Sequence, residues 1–256
     1  MKIWYQTYAA NGVDPKWQTY EEELKAYVQQ VARPGTKVEI HGVEKYHPKM
    51  NHSEYIQYMH VAQVIDKALQ AEREGYDAFC LGGAFDLGQV LLKEVLDIPV
   101  VFIAESSFYH ACLLARKFGI VGMNEDALQR QLGMVKTHGL ETRCVPGAHV
   151  GKPIMDLVQQ LTNDPEAATE LFAEAARKVI AQGAGAIIPG FGAWASSFGV
   201  RKVRDIDGVP IVDMIAVVIK TAEMLADMQK MGVKKSRGKL FTKADIMAAR
   251  KLYGAD

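Results

Sequence analysis

The feature that most limits what this chain can become is a pattern that occurs twice. The stretch Gly185-Ala186-Ile187-Ile188-Pro189-Gly190-Phe191-Gly192-Ala193-Trp194 places an apolar run, too short for a helix, ahead of a Gly-rich turn. That is the pattern of a strand buried on both faces that opens into a loop. Ala78-Phe79-Cys80-Leu81-Gly82-Gly83-Ala84-Phe85-Asp86 repeats the design, with glycines that permit a sharp turn or a close approach. Each copy precedes a second strand entered through proline, Ile98-Pro99-Val100-Val101-Phe102 in one case and Val209-Pro210-Ile211-Val212-Asp213 in the other. Each of these leads into a helix. The duplicated order predicts an α/β protein of two pseudo-symmetric three-layer lobes with parallel sheets. Loops at the carboxyl ends of the strands then face one another across a cleft between the lobes. The competing explanation is that any α/β protein produces some look-alike segments.

At 256 residues the chain is long enough for one large or two small domains with buried cores. Thirty basic residues balance thirty acidic ones, so no global field draws nucleic acid or an anionic membrane. The amino end, Lys2-Ile3-Trp4-Tyr5-Gln6-Thr7-Tyr8, is strand-like and lacks the apolar core of an export signal. No apolar run approaches the ~20 residues that cross a bilayer. Cys80, Cys112 and Cys144 are widely spaced and form no CxxC pair, which fits a reduced, cytoplasmic setting.

In order, Lys2 to Tyr8 reads as the first strand, ended by the turn Ala9-Ala10-Asn11-Gly12. A helix with Leu24, Tyr27, Val28 and Val31 on its apolar stripe stops at Pro34-Gly35, and Thr36 to Val43 alternates as a second strand. The polar loop from Glu44 to Ser53 has a length that often carries function. His47 and His52 within it are candidate metal ligands, but no third ligand stands at a recognisable spacing, so no metal is expected. A helix from Tyr55 to Gly75, a strand from Asp77 to Gly83, a helix from Asp86 to Leu96 and a strand ending at Ala104 follow. Glu105-Ser106-Ser107-Phe108-Tyr109-His110 then opens a helix directly off a buried strand. Either Ser106 and Ser107 only cap it, or the free N–H groups of its first turn take a carboxylate or a polarised carbonyl.

Phe118 to Met123 reads as the first strand of the second lobe, Asn124 opens a helix that ends near Gly139, and Glu141 to Val145 is another strand. Thr162 to Gln182 is a long amphipathic helix, Ser196 to Arg204 a short one with Arg201 as a candidate anion contact, and Asp213 to Met231 is helical again. Residues 1–104 with about 214–233 are assigned to the first lobe and 105–213 to the second. Residues 234–256 make a basic connector and a short exposed helix.

Four segments carry a family likeness: Tyr76-Asp77-Ala78 through Asp86-Leu87-Gly88; Pro99-Val100-Val101 followed by Glu105-Ser106-Ser107; Phe118-Gly119-Ile120-Val121; and Gly208-Val209-Pro210-Ile211-Val212-Asp213 running into Ala216. Together they resemble the aspartate/glutamate racemase superfamily, in particular its hydantoin racemase branch, from the first strand to about Met231. The resemblance implies an active site between the lobes, with no organic cofactor and no metal. It also implies two cysteines, one per lobe, on opposite sides of the substrate carbon: one thiolate removes the proton and the other thiol supplies one to the far face. The implied substrate is a small carboxylate, cyclic amide or imide, with its carboxylate or ring carbonyl held by helix N-termini. Homo-oligomeric assembly is expected alongside.

The chain departs from that pattern where it matters most. The first family cysteine falls on Gly83, and the second loop, Gly-Cys-small-Gly in the family, reads Gly190-Phe191-Gly192-Ala193. Alternation turns Cys80 away from the Gly83 face into the core. The Asn-rich first-strand motif is replaced by Tyr5-Gln6-Thr7-Tyr8, and the proline of the family's Asp-Pro-Gly is Leu87. Two-thiol racemisation is therefore not expected.

The expected pocket draws Tyr5 and Gln6 from the first strand and Gly83 and Phe85 from the first loop. Ser106 and Ser107 come from the helix start, and Phe191, Gly192, Trp194, Ser196 and Asp213 from the second lobe. Phe191 and Trp194 would form an aromatic wall suited to a flat ring. Acid or base work is assigned to Glu105, Asp86 or Tyr109, although Glu105 and Asp213 also suit the plain role of holding backbone N–H groups at helix starts. Two functional classes follow: a cofactor-independent enzyme acting beside a carbonyl, as isomerase, lyase or hydrolase, and a binding protein that holds a small carboxylate or cyclic imide without turnover. A dinucleotide-binding module is excluded, because the Gly-rich loops lack the GxGxxG order.

Overall fold

The computed structural model describes residues 1–9, 14–47, 53–236 and 242–252, and two parallel sheets organise them. In the first, β1 (Lys2–Gln6), β2 (Lys37–His41), β3 (Ala78–Leu81) and β4 (Val100–Phe102) lie in the order β2-β1-β3-β4. In the second, β5 (Phe118–Gly122), β6 (Ala148–His149) and β7 (Ala186–Pro189) lie in the order β6-β5-β7. A parallel bridge from Ile187 to Ile211 sets the second Pro-led segment beside β7, where β4 stands beside β3. Each sheet therefore grows first to one side of its opening strand and then to the other. Crevices that bind ligands in open α/β sheets form at such switch points, outside the carboxyl ends of the strands.

Side-chain alternation gives the first sheet two different faces. Ile3, Tyr5, Ala78, Cys80 and Val101 enter a core that continues into the second sheet. Trp4, Phe79, Leu81, Val100 and Phe102 enter a smaller core beneath α2 (Glu54–Arg73) and α3 (Gln89–Val95). Two helices cross between the lobes: α4 (Ile103–Leu114) leaves the first sheet to pack on β7, and the long helix Met214–Lys230 leaves the second to pack on β3 and β4. The two helices also pack on each other, so the lobes share one continuous core. The remaining helices are α1 (Gln18–Val31), which follows a short 3-10 turn at Pro15–Trp17, and α5 (Glu125–Thr137), α6 (Ile154–Asn163), α7 (Pro165–Ala181) and α8 (Gly192–Arg201). The crossing helix Met214–Lys230 is thus α9, and α10 (Lys243–Leu252) is exposed at the end.

Local chemistry explains most boundaries. Ser53, Asn124 and Asp164 each accept a hydrogen bond from the third residue of the helix that they open. Gly75 takes φ +74° to end α2, a conformation that side chains disfavour.

Four expectations change. Glu141–Arg143 is a 3-10 turn rather than a strand; only Cys144 bridges to Phe118, and β6 lies beyond Pro146-Gly147. The helix placed at 162–182 is divided, because Asp164-Pro165 ends α6 and opens α7. Helix α6 itself was legible in Ile154, Leu157, Val158 and Leu161, its buried stripe. Helix α8 starts directly at Gly192 rather than at Ser196, and the strand at 209–213 shrinks to β9 (Val209–Pro210), paired antiparallel with β8 (Asp205–Ile206). The turn residues Ala10, Asn11 and Gly12, together with His52 and Tyr253, lie outside the described residues. Among the described residues no helix is long and apolar enough to cross a membrane, and no group of three His, Cys, Asp or Glu side chains is placed to hold a metal.

Candidate active site

The loops that follow β3 and β7 confront one another. A methyl group placed on Gly192 would lie 3.5 Å from the Gly82 carbonyl oxygen. Between them lies a cavity of about 80 Å3, bounded by Gly82–Phe85 from the first loop and Gly190–Ala193 from the second. Tyr8 and Ala9 after β1 and Met123 after β5 complete the switch-point walls, and Trp17, Tyr20 and Tyr46 close the far side. That volume equals roughly half a dozen water positions, enough for one small ring. None of the described lining residues carries a charged side chain. The Arg130 guanidinium stays behind the wall, 4.1 Å over the Phe85 ring, where it donates to Gln57.

The two loops are built differently. Any side chain on Gly83 would overlap the Tyr8 ring, so that ring occupies the space which residue 83 leaves open. The Tyr8 hydroxyl accepts the Leu87 N–H at 3.1 Å and so anchors the loop as well. Tyr5 covers Gly82 in the same way, its ring 2.5 Å from where a Cβ would stand. In the second loop Phe191 projects its own ring into the wall, and Gly190 is required because Gln131 lies against it and donates to its carbonyl at 2.9 Å. Burial raises the pKa of Tyr8, Tyr20 and Tyr46. At neutral pH these phenols keep their protons and act as hydrogen-bond donors rather than bases.

Of the residues that the sequence reading assigned to the pocket, Gly83, Phe85, Phe191 and Gly192 line this cavity. The others lie elsewhere. Asp86, at φ +43°, turns its carboxylate onto the start of α4, accepting from Ala104 N–H at 3.1 Å and Glu105 N–H at 2.7 Å. The helix N-terminus expected to hold a ligand is therefore filled by the chain's own carboxylate. Burial lifts Asp86 to about 7, against the opposing pull of those two N–H groups. Ser106 and Ser107 do not cap: α4 begins at Ile103, and the serines donate back to Phe102 O at 2.7 Å and Ile103 O at 2.6 Å from within the helix.

Glu105 pairs with Lys93 at 2.5 Å and, with Ser106 and Tyr109, faces an outer groove of about 820 Å3 between α3, α4 and α9. Trp194 is fully buried behind Phe191, and Ser196 donates to Ala193 O at 3.1 Å. Asp213 caps α9 through Ala216 N–H and pairs with Arg204 at 2.8 Å and with the Tyr27 hydroxyl. Gln6 accepts the Trp4 indole N–H on the opposite face of the sheet, and Tyr5 stands behind the first loop. Cys80 is fully buried in β3, and burial pushes its thiol up.

Tyr8, Trp17, Tyr20 and Tyr46 are wall residues beyond those expected from the sequence. Tyr8 belongs to the segment that replaces the family's Asn-rich motif, which was a usable signal. Trp17, Tyr20 and Tyr46 had none beyond the length of the loop that holds Tyr46.

The family model for Asp/Glu/Hydantoin racemase matches residues 18–222. The chain belongs to that family. A hydantoin racemase from Pseudomonas sp. (strain NS671) is 29% identical over 212 residues, which is 81% of this chain and 83% of the relative. The allantoin racemase of Pseudomonas fluorescens superposes with a TM-score of 0.76 at 23% identity, covering 93% of this chain and 95% of the other. That of Klebsiella pneumoniae gives 0.73 at 20% identity, covering 92% and 90%. Both likenesses are of fold alone.

Proposed function

We propose that this member of the racemase family binds a small, flat, uncharged cyclic amide between its two Gly-rich loops and promotes chemistry beside a ring carbonyl without two opposed thiols. The observation that carries the reading is the cavity wall: six aromatic rings and exposed loop backbone, with no charged side chain among the described lining residues. A free amino acid or dicarboxylate would bring its charge into that wall without a partner, at a desolvation cost that a neutral ring avoids. The relatives named hydantoin racemase and allantoin racemase support a ring-shaped substrate. Donors aimed at a ring carbonyl acidify the carbon next to it by stabilising the enolate oxygen. The buried phenols and loop N–H groups are suited to that task.

A second reading, a binding protein without turnover, draws on another observation. Asp86 is committed to α4, and Glu105 and Tyr109 face the outer groove, so none of the three acid–base candidates reaches the cavity. One experiment separates the two: 5-substituted hydantoins of each hand and allantoin are incubated with the protein in D2O, with exchange at carbon followed by NMR against a protein-free blank. Exchange above the blank supports the enzyme. Calorimetric binding without exchange supports the binding protein, and the absence of both sinks the cyclic-amide reading.

A further inference from the structure

Part of the cavity's far wall is held in place by α2. Residues 44–47 lead away from β2 and carry Tyr46 into the wall with Trp17 and Tyr20. Glu44, Lys45 and His47 of this strap are exposed, so Tyr46 is the residue that turns inward. The strap backbone is bonded to side chains of α2. Gln63 Oε1 accepts the N–H groups of Glu44 at 3.2 Å and Lys45 at 2.8 Å, and Gln63 Nε2 donates to the Lys45 carbonyl at 2.8 Å. One turn earlier in α2, His60 Nε2 accepts the His47 N–H at 3.2 Å. Tyr46 lies between the two ties in sequence, its ring centroid 5.8 Å from that of His60 and 6.5 Å from that of Trp17.

The two ties differ in chemistry. Gln63 has a fixed donor and a fixed acceptor, so its bonds persist at any ordinary pH. His60 accepts only while neutral: with Nε2 as the acceptor the ring proton stands on Nδ1, and a second proton would take the lone pair that the His47 N–H uses. His60 is 2% exposed, and burial together with His47 holds its pKa below the ordinary value. Tyr46 and His47 meet it from the strap, Gln57 and Gln63 flank it on α2, and Arg130 of α5 is bonded to Gln57. The strap's own carboxylate, Glu44, is paired with Lys67 at 2.6 Å. We infer that His60 is a positioning residue whose neutral ring holds the strap closed with Tyr46 in the cavity wall, and that a second proton on His60 releases the strap and opens the cavity. Because the closed form disfavours that proton and a released, hydrated ring does not, closure is strongest above about pH 6.5 and weakens as pH falls below it. The gate controls access to the cavity, whichever ligand fills it.

Hydrogen exchange read by mass spectrometry on peptides covering residues 43–47, corrected for intrinsic rates, compares wild type with His60→Gln and His60→Leu at about pH 7.5 and about pH 5. Wild type is expected to lose about fivefold in protection at the lower pH, the scale of one neutral hydrogen bond. Gln keeps an acceptor that does not titrate, so His60→Gln stays protected at both values. Leu has no acceptor, so His60→Leu is less protected by the same factor at both. Acrylamide quenching of tryptophan fluorescence reads the opening itself, because Trp4 and Trp194 are 1% and 0% exposed and Trp17 stands beside Tyr46. Quenching should rise at the lower pH in wild type, and the rise should vanish in His60→Gln and in Trp17→Phe. Wild-type protection that does not change with pH overturns the inference, as does an equal fall in His60→Gln, which would mean that another group titrates. A fall in protection without a rise in quenching overturns it too, since the strap would then move without opening the cavity. Should His60→Leu fail to fold, wild type and His60→Gln decide the matter alone. Neither measurement uses a ligand, so failure of the gate is distinguishable from failure of the cyclic-amide reading.

Discussion

The loop after β3 and the loop after β7 hold equivalent places in their sheets, yet each builds its side of the cavity by a different route. At Gly83 the wall is supplied from across the sheet, by the ring of Tyr8. At Phe191 the residue supplies its own ring, backed by Trp194 at 5.8 Å between centroids. A packed wall tolerates no void of side-chain size, so space left by one residue must be taken by another. What matters for chemistry is that neither route leaves a nucleophile or base at either position.

The comparison can be broken most directly by putting the same side chain into both loops. Gly83→Cys forces the Tyr8 ring out of its site and is expected to cost about 3 kcal/mol in chemical denaturation. Most of that cost should vanish in a Tyr8→Ala background, as a double-mutant cycle will show. Equal costs in the two backgrounds would refute the account of the first loop. Phe191→Cys meets no such obstacle; it leaves a void and should cost about 2 kcal/mol, additive with Tyr8→Ala in the same denaturation series.

The helix starts sharpen the contrast. Helix α9 is capped by Asp213 from its own chain end, whereas α4 is capped by Asp86 from the preceding loop. Because burial raises folded-state Asp86 from 3.8 to about 7, the folded protein holds a proton that the unfolded chain has released. The Asp86 contribution to stability is therefore fully present at acid pH and declines as pH rises through about 7. Asp86→Asn should flatten this slope, narrowing the stability difference between about pH 4 and about pH 7 by about 3 kcal/mol. An unchanged slope would mean that another group carries it. The smallest effect is expected from Glu105→Gln. Its Lys93 partner is 38% exposed, so the loss should be about 0.5 kcal/mol in thermal or chemical melts. Ligand binding in the cleft should not change.

Much of the architecture was legible in the residues. The duplicated strand, Gly-rich loop and Pro-led segment correspond to β3 with β4 and to β7 with Ile211, and the parallel α/β arrangement is borne out by the topology. Segment 141–145 was misread because a short stretch in which Thr142 and Cys144 alternate with Glu141 and Arg143 reads equally as a strand or as a 3-10 turn that merely bridges to one. The candidate site was legible only in its glycines and in Phe191. Ser106, Ser107 and Glu105 follow a buried strand in sequence, but a loop that is distant in the chain had already taken the helix start that they appeared to offer.

The sequence by itself determined the alternation of strand and helix, the two Gly-rich turns and the lack of cysteine at either of them, because these depend on local patterns of side-chain type. Only the tertiary structure decided that Tyr8 stands in for a side chain at residue 83, that Asp86 closes the α4 N-terminus, and that Trp17 and Tyr46 join the cavity wall. Each of those outcomes joins residues far apart in the chain, and the volume or hydrogen bond that one of them needs exists only once the other has been brought to it by folding.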